Sequence, residues 1–163
     1  LRESVGRIRP KDSFKLVILA GESFAPFLGE VRRLGLEDHV MVCDKVNEIE
    51  DYLQAADLGL VTSDTESFCL NILEAMCFAC PSVATRVGGI PEVIDDTVTG
   101  LLTPPGDADA LAGALEALIQ DPARRMRLGQ AAQQRARERF STAVILPQYE
   151  ALYRRVCARE GTC

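Results

Sequence analysis

The stretch that decides the fold is residues 60–81, which read LVTSDTESFCLNILEAMCFACP. An apolar strand comes first, small polar residues and a carboxylate follow, and the apolar segment Leu70–Cys77 has the spacing of a helix. In an open parallel sheet, ligands collect at the carboxyl ends of strands, where helix N-termini point free amides outward. We therefore look for a functional site in the loop before this helix.

The same alternation of strand and helix extends over the first two thirds of the chain. Short runs rich in Val, Ile and Leu predict strands over residues 15–20, 39–43, 57–62, 82–85 and 100–103. Between them, helical spacing predicts helices over residues 26–36, 49–55, 70–77 and 91–94. The pattern is typical of an α/β fold with a Rossmann-like, doubly wound parallel sheet, whose strands are apolar throughout because helices cover both faces.

The last third of the chain is predicted to be a helical tail over residues 108–159. Asp107 caps a helix that runs to about Gln120, and Asp121 with Pro122 starts the next one as N-cap and first residue. A third helix begins after Ser141. The apolar positions Leu111, Leu115 and Leu118 of the first tail helix are spaced to cover the sheet.

Composition restricts the classes of function. The chain has 163 residues, of which 47% are hydrophobic and 26% are charged, so we expect one folded domain over residues 1–163. Lys plus Arg total 18 and Asp plus Glu total 24, and a net charge of −6 argues against nucleic acid as a partner. No apolar run is long enough for a transmembrane segment. The six cysteines predict reduced thiols in a cytoplasmic protein.

Two carboxylates are the candidate site residues. Glu66 lies just before the predicted helix and Glu74 about one turn inside it, so the pair brackets the first amides of the helix. Carboxylates accept hydrogen bonds from vicinal hydroxyls, and free helix amides bind phosphate. One carboxylate can therefore recognise a ribose and the other a sugar, with a diphosphate held between them. The alternative, that both are solvated surface acids, stays open on this evidence.

The sequence resembles the carboxyl-terminal nucleotide-sugar-binding domain of glycosyltransferase family 4, which comprises retaining enzymes of the GT-B architecture. The matching segments cover nearly the whole chain in the family's order: KLVILAGES, LGLEDHVMV, YLQAADLGLVTSDTESF, NILEAM, PSVATRVGGIPEVIDD, TGLLTPPGDADALAGAL and ARERFSTAVILPQYEALYRRV. Within the family, ESF, GGIPEVI, VTG and YEALY are most similar to the N-acetylglucosaminyl-malate synthases of bacillithiol biosynthesis.

The resemblance implies retaining transfer of a hexose or N-acetylhexosamine from a nucleotide diphosphate sugar, UDP-linked, with no cofactor and no required metal. It implies that Glu66 is catalytic and contacts the donor sugar, and that Glu74 binds the ribose. The residues whose backbone amides would hold the sugar and diphosphate are Phe68, Cys69, Leu70, Asn71 and Ile72.

Two further expectations rest on the same resemblance. The loop after the strand predicted over residues 39–43 would lie beside the nucleobase, which places Lys45 and Val46 there. The nucleotide sugar would be one partner, and an amino-terminal domain of the same enzyme, which supplies the acceptor site, would be the other.

The sequence departs from the family pattern in two ways. Family members commonly have glycine where Cys69 and Cys80 stand and near Ser23, and a side chain at Cys69 is expected to crowd the donor. The family also begins this domain with a strand that carries an Arg and a Lys for the diphosphate. We do not assign those roles to Arg9 or Lys11, and since Leu1 is not a start residue we expect that strand upstream. The isolated chain is expected to bind donor without turning it over.

Other motifs receive structural interpretations. Gly88, Gly89 and Pro91 suit a strand-to-helix loop, although the glycines could also line the donor site. Cys77 and Cys80 form only half of a zinc motif and are interpreted as packed thiols.

The tail contains two more such patterns. Asp107 and Asp109 imitate a metal-binding D-x-D but open a helix, so capping is the better interpretation. The basic run over residues 124–139 is predicted to be a solvated helix face.

Two other classes of function are alternatives to a glycosyltransferase. The first is a non-catalytic nucleotide-binding or interaction module that kept the fold and lost the chemistry, which the departures favour and the intact Glu66 and Glu74 oppose. The second is a flavodoxin-like signalling domain, which VILAGES does not support because it lacks an acidic phosphoacceptor pocket.

Overall fold

The computed structural model describes residues 14–20 and 24–160. Arg9, Lys11 and Ser23 lie outside the described residues.

The chain alternates strands and helices and ends in a helical tail. The strands are β1 Leu16–Ala20, β2 Val40–Asp44, β3 Gly59–Val61, β4 Ser82–Thr85 and β5 Gly100–Thr103. The α-helices are α1 Leu28–Arg33, α2 Ile49–Ala55, α3 Leu70–Cys77, α4 Ile90–Val93, α5 Ala108–Gln120, α6 Pro122–Arg135 and α7 Thr142–Glu160. A 3₁₀ turn, Ala25–Phe27, precedes α1, and a π-helical turn, Ala136–Phe140, ends α6.

Local sequence signals locate most of these elements. The predicted bounds of α2, α3, β4 and β5 are those of the structure, and the other three strands differ from prediction only at their ends. The helix expected over residues 26–36 is shorter, because it starts as the 3₁₀ turn and stops before Gly35, whose φ of 62° is left-handed.

The fold is Rossmann-like, as predicted, but the described strands form two parallel sheets. In the first, Leu16 of β1 lies opposite Val40 of β2. In the second, the order is β3-β4-β5, and Ser82 of β4 lies between Gly59 and Gly100. Within the described part of the chain, β1 and β3 are each hydrogen-bonded along one edge only.

Two apolar clusters cover opposite faces of the β3-β4-β5 sheet, because side chains alternate along each strand. Ala84 of β4 faces one cluster and its neighbour Val83 faces the other. We name the first the front cluster; its buried members are Cys69, Ile72, Met76, Ala84, Ile90, Val93, Ile94, Ala132 and Ala136. The second is the back cluster, with Val83, Leu101, Leu111, Leu115, Leu118 and Leu128.

The β1-β2 sheet is less covered than its neighbour. Val17 of β1 and Met41 of β2 are 39% and 50% exposed, whereas all four residues of β4 are buried. Phe14 connects the two sheets, because it stacks on His39 with ring centroids 5.0 Å apart and packs against the back cluster.

Asp107 and Asp121 cap their helices as predicted. The carboxylate Oδ1 of Asp107 accepts a hydrogen bond from the amide of Ala110 at 2.9 Å, and that of Asp121 accepts one from the amide of Arg124 at 2.8 Å. Both bonds satisfy amides that a helix N-terminus otherwise leaves free.

The basic run over residues 124–139 is a solvated face only in part: Arg127, Arg137 and Arg139 are exposed, whereas Arg125 and Arg135 bind other helices. Arg125 donates to two carbonyl oxygens at the end of α5, at 2.7 and 3.0 Å. Gln133 donates to a carbonyl at the end of α3, at 2.7 Å, and Arg135 to two at the end of α4, at 2.8 and 2.9 Å. The last carbonyls of a helix have no partner inside it, so α6 supplies donors to the ends of three helices at once.

Candidate functional site

The candidate site lies where β3 and β4 end. The loop of residues 62–69 leaves β3 and enters α3, and the loop of residues 86–89 leaves β4 and enters α4. Because the strands are parallel and paired, both loops lie at the same edge of the sheet. The loop of residues 62–69, hereafter the donor loop, thus lies next to Gly88 and Gly89, hereafter the glycine pair.

Helix α3 presents an N-terminus that no side chain caps. Its N-cap is Cys69, whose φ of 64° and ψ of 73° are left-handed, and no capping hydrogen bond from that side chain is made. The amide of Ile72 bonds to the Cys69 carbonyl at 3.2 Å, while Leu70 and Asn71 are exposed. Free amides and the helix dipole attract an anion at such an end.

The two predicted carboxylates occupy different environments. Glu66 is half-buried, and its carboxylate accepts hydrogen bonds from the Ser67 amide at 3.1 Å and the Ser63 hydroxyl at 3.5 Å. Glu74 is exposed on α3, three residues after Asn71 and therefore on the same face of the helix. Glu66 is held in one orientation by its own loop, whereas Glu74 is free to meet a ligand from solvent.

The glycine pair is in backbone contact with the donor loop. A Cβ at Gly88 would lie 1.6 Å from the carbonyl oxygen of Glu66, and one at Gly89 would lie 1.9 Å from that of Ser67. The Gly89 amide donates to the Glu66 carbonyl at 3.2 Å, and Gly88 has a φ of 49°. The glycines therefore have a structural role and also adjoin the site, because a side chain at either position would displace the loop that carries Glu66.

Thr85 provides a further contact that the sequence did not indicate. Its hydroxyl donates to the carbonyl oxygen of Ser63 at 2.6 Å, across the ends of β4 and β3. The donor loop is thus anchored to β4 at its first residues and to the glycine pair at Glu66.

Of the cysteines near the site, Cys69 and Cys80 are buried, so the interpretation of Cys77 and Cys80 as packed thiols is confirmed for Cys80 and is wrong for Cys77. Burial raises the pKa of the Cys69 thiol, and the nearby carboxylate of Glu66 adds to the effect. Burial also raises the pKa of Cys80 to about 11, whereas Cys77 is exposed. A neutral, buried thiol is a poor nucleophile and a poor metal ligand.

The position that favours glycine at the end of α3 is Ala79 and not Cys80. Ala79 has a φ of 55°, while Cys80 does not have a positive φ. Cys69 does occupy such a position, since its φ is 64°. A left-handed backbone therefore accompanies the expected departure from glycine at Cys69 and does not accompany the one at Cys80.

The predicted nucleobase loop lies on the other sheet. Lys45 follows β2 with a left-handed φ of 55°, and Val46 beside it is half-buried. A second cation, Arg86, follows β4, and its guanidinium forms an ion pair with Asp96.

Across residues 14–20 and 24–160, three or more His, Cys, Asp or Glu side chains nowhere converge in a way that would hold a metal ion. Over the same residues, none of the helices combines the length and apolar character needed to span a membrane.

These observations define the class of the protein: a Rossmann-like α/β domain with an uncapped helix N-terminus at the carboxyl edge of its parallel sheet. The chain belongs to the family described as Glycosyl transferases group 1, whose sequence model matches residues 1–135.

Individual relatives agree with this assignment. The chain is 37% identical over 142 residues to N-acetyl-alpha-D-glucosaminyl L-malate synthase of Bacillus anthracis, covering 87% of this chain and 37% of that protein. Its fold matches sucrose-phosphate synthase from Thermosynechococcus elongatus with a TM-score of 0.89 and 29% identity, over 97% of this chain and 41% of that one. It matches Anabaena HepE in complex with UDP with a TM-score of 0.86 and 28% identity, over 94% and 43%. HepE has also been solved with UDP-glucose.

The chain spans well under half of the length of each of these relatives, 37%, 41% and 43%. What the whole protein transfers, and to which acceptor, is therefore a matter for proposal.

Proposed function

We propose that this chain is the donor-binding half of a retaining glycosyltransferase that transfers a hexose or N-acetylhexosamine from a UDP-linked donor. The observation that carries the proposal is the uncapped N-terminus of α3, with Glu66 before it and Glu74 one turn inside it. This arrangement offers donors to a diphosphate and acceptors to the hydroxyls on either side of it.

For each part of the proposed donor, the site contains a group of suitable chemistry. The diphosphate would lie on the amides of Phe68, Cys69, Leu70, Asn71 and Ile72, where the helix dipole favours negative charge. The exposed carboxylate of Glu74 would accept hydrogen bonds from the ribose hydroxyls. The carboxylate of Glu66, fixed by Ser63 and Ser67, would face the sugar as the catalytic group.

The nucleobase and the charge of the leaving group involve other parts of the molecule. Lys45 and Val46 would lie beside the base, in the loop where Lys45 turns the backbone through a left-handed conformation. The amides and protein cations would balance the diphosphate charge without a metal and without a further cofactor. The UDP complex of HepE, a structural neighbour with 28% identity, supports UDP as the nucleotide.

We also propose that the acceptor site belongs to an amino-terminal domain of the same enzyme, and that the Arg and the Lys expected for the diphosphate lie on a strand of this domain upstream of Leu1, so that the isolated chain is inactive. Two features support a further partner for this domain. The edges of β1 and β3 that face away from β2 and β4 have no strand beside them in the described chain. Helix α7 also carries exposed apolar side chains, namely Leu146, Tyr149, Leu152, Tyr153 and Val156. The cytoplasm remains the predicted location, on the basis of the free thiols.

Calorimetric titration of the full-length protein with UDP, UDP-glucose, UDP-N-acetylglucosamine and pyrophosphate tests the donor assignment. Both UDP-sugars and UDP should bind, and pyrophosphate should bind more weakly because it lacks the ribose that Glu74 would hold. Pyrophosphate binding as tight as UDP would contradict the role of Glu74, and absence of UDP binding would contradict the proposal as a whole.

A non-catalytic nucleotide-binding or interaction module is the second candidate, and one observation favours it. Cys69 places a side chain on a left-handed N-cap at the point where the donor sugar would approach. Incubation of the full-length protein with radiolabelled UDP-sugar separates the two candidates. Slow release of free sugar, abolished by Glu66→Gln, indicates an enzyme, whereas nucleotide binding without any release indicates a module.

A further inference from the structure

We infer that Phe140, on the π-helical turn that ends α6, is a positioning residue that holds the donor loop and thereby orients the amides proposed to bind the diphosphate. The expected effect of Phe140 on donor binding rests on the proposed function. The contact between Phe140 and the donor loop is independent of any ligand. Phe140 lies in the tail segment ARERFSTAVILPQYEALYRRV, which follows the residues matched by the family model.

The contact between Phe140 and the donor loop is direct. The ring of Phe140 meets the ring of Phe68 edge to face, with centroids 5.7 Å apart and planes inclined at 70°. Such pairs stabilise a structure beyond the area that they bury. Phe68 precedes the N-cap of α3 and packs on the front cluster, so its position fixes the entry of the chain into that helix.

The residue directly before this turn also binds α4, which lies on the other side of the donor loop. Arg135, the last residue of α6, donates to the carbonyl oxygens of Glu92 and Val93 at 2.9 and 2.8 Å. These carbonyls belong to α4, which begins directly after the glycine pair. The segment from Arg135 to Phe140 therefore contacts both the donor loop and the helix that follows its glycine support.

The π-helical turn makes this double contact feasible. In an α-helix, side chains five residues apart point about 140° away from each other. In a π-helix, hydrogen bonding from residue i to residue i+5 brings such a pair close to one face. Arg135 and Phe140 are five residues apart, and Ala136 between them is buried in the front cluster. The extra residue in the turn thus lets both side chains face the site.

From these contacts, the donor loop has three supports. Thr85 holds its start at Ser63, the glycine pair holds its middle at Glu66, and Phe140 holds its end at Phe68. Of these supports, Phe140 lies outside the strands and loops that form the site. Its side chain can therefore be changed without altering any group that is proposed to touch the donor.

The first test measures hydrogen exchange in the ligand-free full-length protein for peptides covering residues 62–72. Phe140→Ala should speed exchange there by about tenfold or more, because the loop opens locally once its support is removed. Phe140→Tyr should exchange like the wild type, and Phe140→Leu should fall between them. The control is Leu115→Ala, which removes a buried side chain from the back cluster, on the opposite face of the sheet from the half-buried Phe140.

Unchanged exchange over residues 62–72 in Phe140→Ala would overturn the inference. Equally fast hydrogen exchange over residues 62–72 in Leu115→Ala would also overturn the inference, because the effect would then come from a general loss of stability. If Phe140→Ala does not fold, Phe140→Leu carries the same comparison.

The second test measures donor affinity, at a temperature where all variants are folded. Phe140→Ala should raise the dissociation constants of UDP and UDP-sugar by about tenfold, while Leu115→Ala leaves them unchanged. In a double-mutant cycle, the effects of Phe68→Leu and Phe140→Leu on donor affinity should be less than additive, because each removes the same ring contact.

The two proposals fail in different ways. A wild-type protein that binds no nucleotide contradicts the proposed function, and the exchange experiment still decides whether Phe140 holds the loop. Faster exchange with unaltered donor affinity would show that Phe140 orders the loop without positioning a donor, which would overturn its positioning role.

Discussion

The front and back clusters cover the same three strands, but they are built differently. The back cluster consists of Val83 and leucines, and its helices α5 and α6 start at capped ends with Asp107 and Asp121. The front cluster is formed around α3 and α4, whose N-termini no side chain caps. The two helix N-termini at the back of the sheet are thus capped by side chains, whereas the two at the front are not and leave amides open.

The difference shows that the free helix amides available to a ligand lie on the front of the sheet. On the front, the chain uses conformations that are unfavourable locally: Cys69 at a left-handed N-cap, and a loop pressed against Gly88 and Gly89. Such features persist only where surrounding contacts maintain them, and they concentrate at functional sites. The changes below test this contrast, beginning with the largest expected effect.

Gly88→Ala should cost at least about 3 kcal/mol of folding stability and abolish donor binding. Its Cβ would overlap the Glu66 carbonyl at 1.6 Å, and alanine also disfavours a φ of 49°. The control is Gly113→Ala on α5, where a Cβ meets nothing within 4 Å. There, alanine should stabilise by about 0.5–1 kcal/mol, since glycine is unfavourable inside a helix. Thermal unfolding measures both, and a tolerated Gly88→Ala would disprove the tight contact.

Glu74→Ala should weaken binding of UDP and UDP-sugar alike by about 1.5–3 kcal/mol, or roughly 10- to 100-fold, which is the usual loss for hydrogen bonds to a charged group. Glu66→Ala should lower turnover of the UDP-sugar and leave UDP affinity nearly unchanged. Titration calorimetry and a transfer assay on the full-length enzyme measure the two effects. The control is Glu116→Ala on the back helix α5, which should change neither. Equal loss of UDP affinity in both site variants would refute the division of roles.

Asp121→Ala should destabilise the protein by about 1 kcal/mol, because the Arg124 amide loses its acceptor at the start of α6. Donor affinity should not change, since the cap lies at the first turn of α6, at the opposite end of that helix from Arg135 and Phe140. Asp121→Asn retains a capping side chain and serves as the control for stability. A clear loss of donor affinity in Asp121→Ala would show that front and back are coupled.

Cys69→Gly should change folding stability little. Relief of the left-handed backbone is worth about 1–2 kcal/mol, and the greater freedom of glycine in the unfolded chain, together with the loss of a buried side chain from the front cluster, offsets it. Donor affinity should stay the same or rise, since the side chain beside the proposed sugar position is removed. Chemical denaturation and calorimetry provide the two measurements, and Cys77→Gly at the exposed end of α3 is the control. A lower affinity for UDP-sugar in Cys69→Gly would contradict the crowding argument.

Alkylation offers an independent check on Cys69. The thiol is buried and its pKa is raised, so it should react more slowly than exposed Cys77. Once it has reacted, in a protein with Cys77 and Cys80 replaced, UDP-sugar binding should fall more than UDP binding. Identical losses for both ligands would argue against a sugar position beside Cys69.

The elements best predicted from sequence are those with local signals. The bounds of α3 and α2 follow from helical periodicity, and the starts of α5 and α6 follow from Asp107 and Asp121 with Pro122. The positions of Glu66 and Glu74 relative to α3 follow from the same periodicity, while their roles in donor binding stay predictions.

Other features had no local signal. The basic run on α6 looked like a solvated face, yet Arg125 and Arg135 cap helices that lie elsewhere in the chain. The glycine-favouring position at the end of α3 is Ala79 and not the expected Cys80. The π-helical turn over Ala136–Phe140 has an apolar spacing that also suits an ordinary helix.

The sequence by itself determined the order of strands and helices, the parallel α/β class, the helix caps and the location of the candidate site at the end of β3. These depend on residues close together in the chain, whose spacing and chemistry are visible in the sequence. Only the tertiary structure decided that the described strands form two sheets, that Gly88 and Gly89 press against Glu66 and Ser67, and that Phe140 meets Phe68. The physical reason is that these contacts join residues about 20 to 70 positions apart, and packing between such distant segments leaves no periodic pattern in either one.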